Sequence, residues 1–408
     1  GMIASTAGDA TIHVKGGSIL TTGTWSGGMI PLGVLAEVIG TSPSGKGAAV
    51  ITLQDTNLTT QGNGANAAFA YHSSLGSSYA KANIDINNSI VRTKGVGAAG
   101  LGTSLSTAGN ASESSIAVHG TSIVETSGAS STGISASSQS GLAKVSVDAG
   151  AQVLTHGAGS AAVFTESKQA AGGVVVTNAG TLVSDQYDGI NAIGRNAGTT
   201  IINSGNVTGG KNGIYAENKG SGVIAITQSA GSIIGKTQEG IYAVNDANGT
   251  DININQSGGT ISGSTYGIRA ENNGISSTTT IQTSGDINTT TAGTAVYAKN
   301  NTTAKDISFT QSGGNISPAS YGVRLLNSGI GSTIFSQTAG TIEGAVGVYI
   351  ENNTTAENIS FDQSAGAKIL GTTPAVKIIN QGTGSTYVET SGEINKSSSL
   401  GSGTGEGI

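Results

Sequence analysis

Apolar and polar residues alternate along this chain in short runs that recur through its second half. Ile252-Asn253-Ile254-Asn255, Ile307-Ser308-Phe309-Thr310 and Ile359-Ser360-Phe361-Asp362 put an apolar residue at every second position, the period of a strand with one buried face. A Ser-Gly or Ala-Gly turn follows, then a short strand centred on Ile234, Ile261, Ile287, Ile316, Ile342, Ile369 or Ile394. A third run closes the unit: Ile214-Tyr215-Ala216, Ile241-Tyr242-Ala243, Ile268-Arg269-Ala270, Val296-Tyr297-Ala298, Val323-Arg324-Leu325, Val348-Tyr349-Ile350 and Val376-Lys377-Ile378. At a fixed offset each carries an asparagine: Asn218, Asn245, Asn272, Asn300, Asn327, Asn352 or Asn380. The unit repeats every 25 to 28 residues. Three short strands per repeat, punctuated by Gly and Asn, predict an all-β fold, a three-faced parallel β-helix whose turns bury their apolar faces only against one another.

The inward positions of the first run extend backwards through Val388, Phe361, Phe335, Phe309, Ile281, Ile254, Ile226, Ile201 and Val176. Further back, Val147, Val118, Ile86, Leu53 and Val14 continue the series with steps of 29 to 39 residues, so about 13–14 rungs are expected. Residues 1–160 thus read as looser N-terminal rungs, 161–396 as the regular repeats, and 397–408 as a flexible linker. Between 21 and 48 the pattern breaks. Trp25 and the apolar run 29–39 read as an insertion that either caps the N-terminal end or projects as a contact loop.

Composition narrows the class. Of 408 residues 66 are glycine, but only 10% are charged and Ile and Val recur regularly, which separates the chain from disordered low-complexity sequence. A formal charge of −6 without a basic stripe argues against nucleic acid as a partner. No apolar run approaches the length of a membrane-spanning helix, and no signal peptide is read. Cysteine is absent, which suits a chain that crosses a membrane unfolded.

The repeated asparagines are expected to serve turns that enter left-handed backbone space, or to bond amide to amide along the stack. Gln228, Gln256, Gln311, Gln337 and Gln363, with Thr283 and Thr390, take the same reading. The middle residue of the third run must face outward, so stacking lays Tyr215, Tyr242, Arg269, Tyr297, Arg324, Tyr349 and Lys377 in one exposed column, with Tyr266 and Tyr321 beside it. Such a column either shields the strand backbone or offers an aromatic and cationic binding face. These seven residues are the candidate binding site.

Other chemistry is weakly signalled. Gly95-Val96-Gly97-Ala98-Ala99-Gly100 matches a dinucleotide fingerprint but no amphipathic helix follows it; 40–47 resembles a phosphate loop but has Gly47 where Ser or Thr is needed. His13, His72, His119 and His156 are dispersed, so no metal site or cofactor is expected. Parallel β-helices also carry polysaccharide lyases and hydrolases, whose sites gather carboxylates. Here Asp185 and Asp188 are the closest aspartates, and Glu217, Glu271 and Glu351 share a rung position with Lys299 between the last two, as on a solvated edge. No catalytic residue is assigned.

The recurring pattern I-x-I-x-Q-S-G-G-x-I followed by G-I-Y-A-x-N, without cysteine and with few charges, resembles the passenger domains of Gram-negative type V autotransporters, adhesin-like ones above all. The resemblance covers about 160–396 well and the N-terminal part loosely. It implies a right-handed β-helix, export through the outer membrane, and membrane attachment only through a C-terminal β-barrel that this sequence lacks. It implies an extracellular location, displayed or released, and a non-enzymatic adhesin or host-cell-binding virulence role. The expected partner is a host-cell receptor or matrix protein. A released effector activating a host receptor, a self-associating aggregation or biofilm rod, and a β-helical polysaccharide lyase or hydrolase remain alternatives.

Overall fold

Alternating β-branched residues separated by glycine turns leave each short strand one apolar face and two unpaired backbone edges, and stacking in parallel satisfies both. A computed structural model shows this arrangement, describing residues 1–23, 32–39, 46–73, 79–106, 112–169, 171–275, 278–291, 293–317, 320–372 and 374–396. Among them no helix occurs, and successive turns of a β-solenoid, about 13 in all, carry parallel strands. Trp25, the run 29–31 and the expected linker 397–408 lie outside the described residues. The chain divides into two compact units, Gly1–Lys211 and Asn212–Ile408. The division falls later than the change of period at 160.

In the first unit one face is built from Met2–Thr6, Val34–Val38, Ala68–His72, Leu101–Leu105, Ile134–Ser138, Val163–Ser167 and Ile190–Gly194, hydrogen-bonded in that order. Val34–Val38 lies inside the expected insertion but is a regular strand, in register with Met2–Thr6 and Ala68–His72. Its Val34, Ala36 and Val38 alternate inward and are fully buried, which the unbroken apolar run around them concealed. On the long face Val14, Leu53, Ile86, Val118 and Val147 stack in register. The expected step from Val147 to Val176 shifts by two residues: Val145 faces Val176, and Val147 faces Asn178. Parity is preserved, so the same side chains stay buried. The Gly95–Gly100 sequence forms a corner turn; a Cβ on Gly95 would collide with the Gly62 carbonyl, and one on Gly128 with that of Gly95. Its glycines serve close backbone approach between turns.

In the second unit the corresponding face is Ile214–Asn218, Glu239–Asn245, Tyr266–Asn272, Thr294–Asn300, Tyr321–Asn327, Val346–Asn352 and Val376–Asn380. The long and short faces are separate strands in most turns but fuse in Ile307–Ser317 and Thr333–Gly344, with a register shift between Gln311 and Asn315. The core is a slim column of isoleucine and phenylalanine. Phe309, Phe335 and Phe361 stack with ring centroids 5.4 and 4.7 Å apart. Val388, in register with Phe361, is 42% exposed. In the short strands Ile233, not Ile234, faces Ile261 and is buried, because the strand Ser232–Gly235 begins one residue earlier than its apolar pair suggests.

The polar columns hold the turns. Gln337 donates its amide to Gln311 Oε1 at 2.9 Å, Gln363 to Gln337 Oε1 at 3.1 Å, and Thr283 and Thr390 donate to Gln256 and Gln363 at 2.6 Å. The asparagines behave differently from the first expectation. None of the seven has positive φ, since each ends a strand and the left-handed positions beside the glutamines belong to Gly259, Gly314, Gly340 and Gly366. Instead their amides bind turn backbone: Asn300 donates to Asp306 O at 2.7 Å, Asn352 to Asn358 O at 3.1 Å, and Asn327 Oδ1 accepts from Gly329 N at 2.9 Å. An amide-to-amide bond joins Asn245 to Asn272 at 3.4 Å.

Candidate functional site

The Gly/Ala-Ile/Val-Tyr/Arg/Lys sequence of the second unit places one outward side chain per turn in strict register. Tyr215 faces Tyr242, then follow Arg269, Tyr297, Arg324, Tyr349 and Lys377. Glycine precedes the inward Ile or Val in five of the seven turns, and Ala295 and Ala375 stand there in the other two. At Gly267 a Cβ would run into Ile287 Cγ2 and approach Ala295 O to 2.7 Å, so glycine lets the short-face isoleucine seat under this corner. All seven candidate residues therefore share one face.

The column is less exposed than its outward parity implies. Only Lys377 is exposed; the other six are half-buried, because at one side chain per turn the long residues lie over one another. Tyr215 meets Tyr242 edge-on with centroids 5.5 Å apart. The Arg269 guanidinium sits 4.6 Å from the Tyr242 ring centroid and 5.4 Å from that of Tyr266. Arg324 lies 5.9, 5.3 and 5.5 Å from the centroids of Tyr297, Tyr321 and Tyr349, and Lys377 Nζ 5.5 Å from Tyr349. Tyr266 and Tyr297 also touch, at 5.3 Å. Alternating cations and aromatic rings make this a continuous stacked ribbon.

Charge is distributed unevenly along it. Arg269 donates to Glu271 Oε1 from Nε and Nη2, at 3.2 and 2.9 Å, and from Nη1 to Glu239 Oε1 at 3.2 Å. Burial acts to lower its pKa, but the bonds and charges of Glu271, with Glu239, outweigh this and hold it above the ordinary arginine value. Tyr242 donates to Glu271 at 3.0 Å; burial first, then the Glu271 charge, pushes its pKa up to about 12. Tyr349 donates to Glu351 at 2.6 Å, and that bond, aided by burial, pushes it up to about 12 as well. Burial also raises the Tyr297 phenol. The phenols stay protonated donors in neutral solution.

The carboxylates considered for acid–base chemistry are dispersed. Glu217, Glu271 and Glu351 occupy one register column with Val244, Lys299 and Leu326 between them. Glu217 pairs with Lys219 at 3.4 Å. In the first unit Asp185 bonds His156 at 2.7 Å, while Asp188 is buried and accepts from Asn191 at 2.8 Å.

Two clusters escaped the sequence reading. His119 lies 2.7 Å from Asp148 and 3.9 Å from Asp85, and His156 lies 2.7 Å from Asp185 and 3.6 Å from Glu125, which also holds Arg92 at 2.9 Å. Each imidazole bridges neighbouring turns. The signal was there: both His–Asp separations are 29 residues, one local repeat. Among the described residues no group of three or more His, Asp or Glu forms a metal-holding cluster.

Comparison with protein-family models, with curated proteins and with solved structures finds no match to the chain.

Proposed function

We propose that this chain is the passenger of an autotransporter-type secretion system, displayed on or released from a Gram-negative cell, and that it acts as a non-enzymatic adhesin for host cells or matrix. The observation that carries the reading is the in-register ribbon from Tyr215 to Lys377. Tyrosine and arginine are the side chains that binding interfaces favour, and here their conformational entropy is already spent in stacking, so a ligand meets an ordered surface. The stacked turns supply a second support. Nearest-neighbour stability lets such a fold form turn by turn, as emergence from a membrane pore requires. The test is saturable binding of the purified protein to intact mammalian cells and to immobilised matrix proteins. Binding to neither, with aggregation of bacteria displaying the chain, would replace this reading with self-association.

A further inference from the structure

Arg269 and Arg324 occupy the same column two turns apart, yet their surroundings differ in kind. Arg269 is neutralised by Glu239 and Glu271. At the corresponding positions around Arg324 stand Thr294 and Tyr321 in the Glu239 row, and Lys299 and Leu326 in the Glu271 row. Arg324 has no carboxylate within ion-pair distance among the described residues, and its Nε is buried without a hydrogen-bond partner. Three tyrosine rings fence it. Lys299, in register with Leu326, adds a second cation that no described carboxylate pairs. An unpaired half-buried guanidinium is costly unless something charged completes it.

We infer that Arg324, with Tyr297, Tyr321, Tyr349 and Lys299, forms a subsite for the anionic group of an acidic saccharide. The inference rests on the reading of this face as a binding face and names what it binds. Three observations favour a saccharide over an acidic peptide. The strand Tyr321–Asn327 is hydrogen-bonded on both edges, to Thr294–Asn300 and Val346–Asn352, so no backbone edge is left to receive a peptide strand. The phenol hydroxyls of Tyr297 and Tyr321 make no hydrogen bond within the described residues and can serve ligand hydroxyls. Glu351, already accepting from Tyr349, adds an acceptor at the edge of the site for a further ligand hydroxyl. The guanidinium would hold carboxylate or sulfate alike.

The experiment is calorimetric titration of the whole chain with a short oligogalacturonate, its methyl-esterified neutral form, dextran sulfate and poly-aspartate, repeated with Arg324→Gln and Arg324→Lys. Circular dichroism of each variant establishes that it is folded. The expected result is binding of oligogalacturonate or dextran sulfate, which separates carboxylate from sulfate. That binding should weaken about tenfold in Arg324→Gln and be partly kept in Arg324→Lys, with the ester and poly-aspartate weaker by a similar factor. Equal binding by poly-aspartate, equal binding by Arg324→Gln, or no binding of either acidic saccharide would overturn it. Cell binding that survives Arg324→Gln but is lost when the tyrosines of the ribbon are removed would overturn the anion subsite while sparing the binding face.

Discussion

Gln337 donates its side-chain amide to Oε1 of Gln311 one turn away, at 2.9 Å, with both side chains fully buried. The same Nε2 also lies 3.0 Å from Lys368 O and 3.3 Å from Gly340 O, and Gln337 Oε1 accepts from Gln363 at 3.1 Å. One side chain thereby satisfies buried groups on three successive turns. Gln337→Ala would strand several of them and is expected to cost about 2–3 kcal/mol. A urea titration checks this. An unchanged midpoint would mean that water replaces the amide without loss.

Phe335 sits between Phe309 and Phe361, its ring plane 5° from that of Phe361. Phe335→Ala is expected to destabilise by about 3–5 kcal/mol through the cavity it leaves in a core one side chain wide. Phe335→Leu should lose less. Equal losses in the same titration would show that ring stacking, rather than filled volume, is what matters there.

The two arginines of the ribbon should respond unequally to the same substitution. Arg269→Gln leaves Glu239, whose side chain is only 7% exposed, without its cation and should cost about 3 kcal/mol. Arg324→Gln removes an unpaired charge and should leave the midpoint within about 0.5 kcal/mol of the parent. Comparable destabilisation by both would contradict the charge assignment.

Alkaline pH tests the tyrosines. Tyr242 and Tyr349 have folded-state values raised from 10.0 to about 12. Below pH 10 both states hold the proton and the stabilisation is complete. Between pH 10 and 12 the unfolded chain loses the proton first, so stability falls as pH rises, and it levels above the folded values. Phenolate absorbance should show Tyr242 and Tyr349 among the tyrosines that titrate late. Tyr242→Phe and Tyr349→Phe should each remove one of them. Ten tyrosines titrating together near their ordinary value would contradict the geometry.

Much of this architecture was legible because a repeat converts sequence position into place. Period-two alternation set which of Phe309, Ser308 and Thr310 points inward, and the 25 to 28 residue step set which residues stack. Positions that slide without changing parity were harder. Val145 and Val147 are both buried, so nothing in their polarity says which one faces Val176. Val34–Val38 was hidden because apolar Leu35 occupies an outward position. The distinction between Arg269 and Arg324 was invisible for another reason. It depends on Glu239, 30 residues before Arg269 and at the start of its own strand, where no column pattern draws attention to it.

On the proposed function, the ribbon of the second unit contacts a cell surface. The most direct measurement is the saturable binding of the purified chain to intact mammalian cells, compared with a variant carrying Tyr215→Ala, Tyr297→Ala, Arg324→Gln and Lys377→Ala. That set leaves the Arg269–Glu239–Glu271 pairing intact. The variant is expected to keep its circular dichroism spectrum and lose at least about tenfold in affinity. A folded variant that binds as tightly as the parent would contradict it and return the ribbon to a purely structural role.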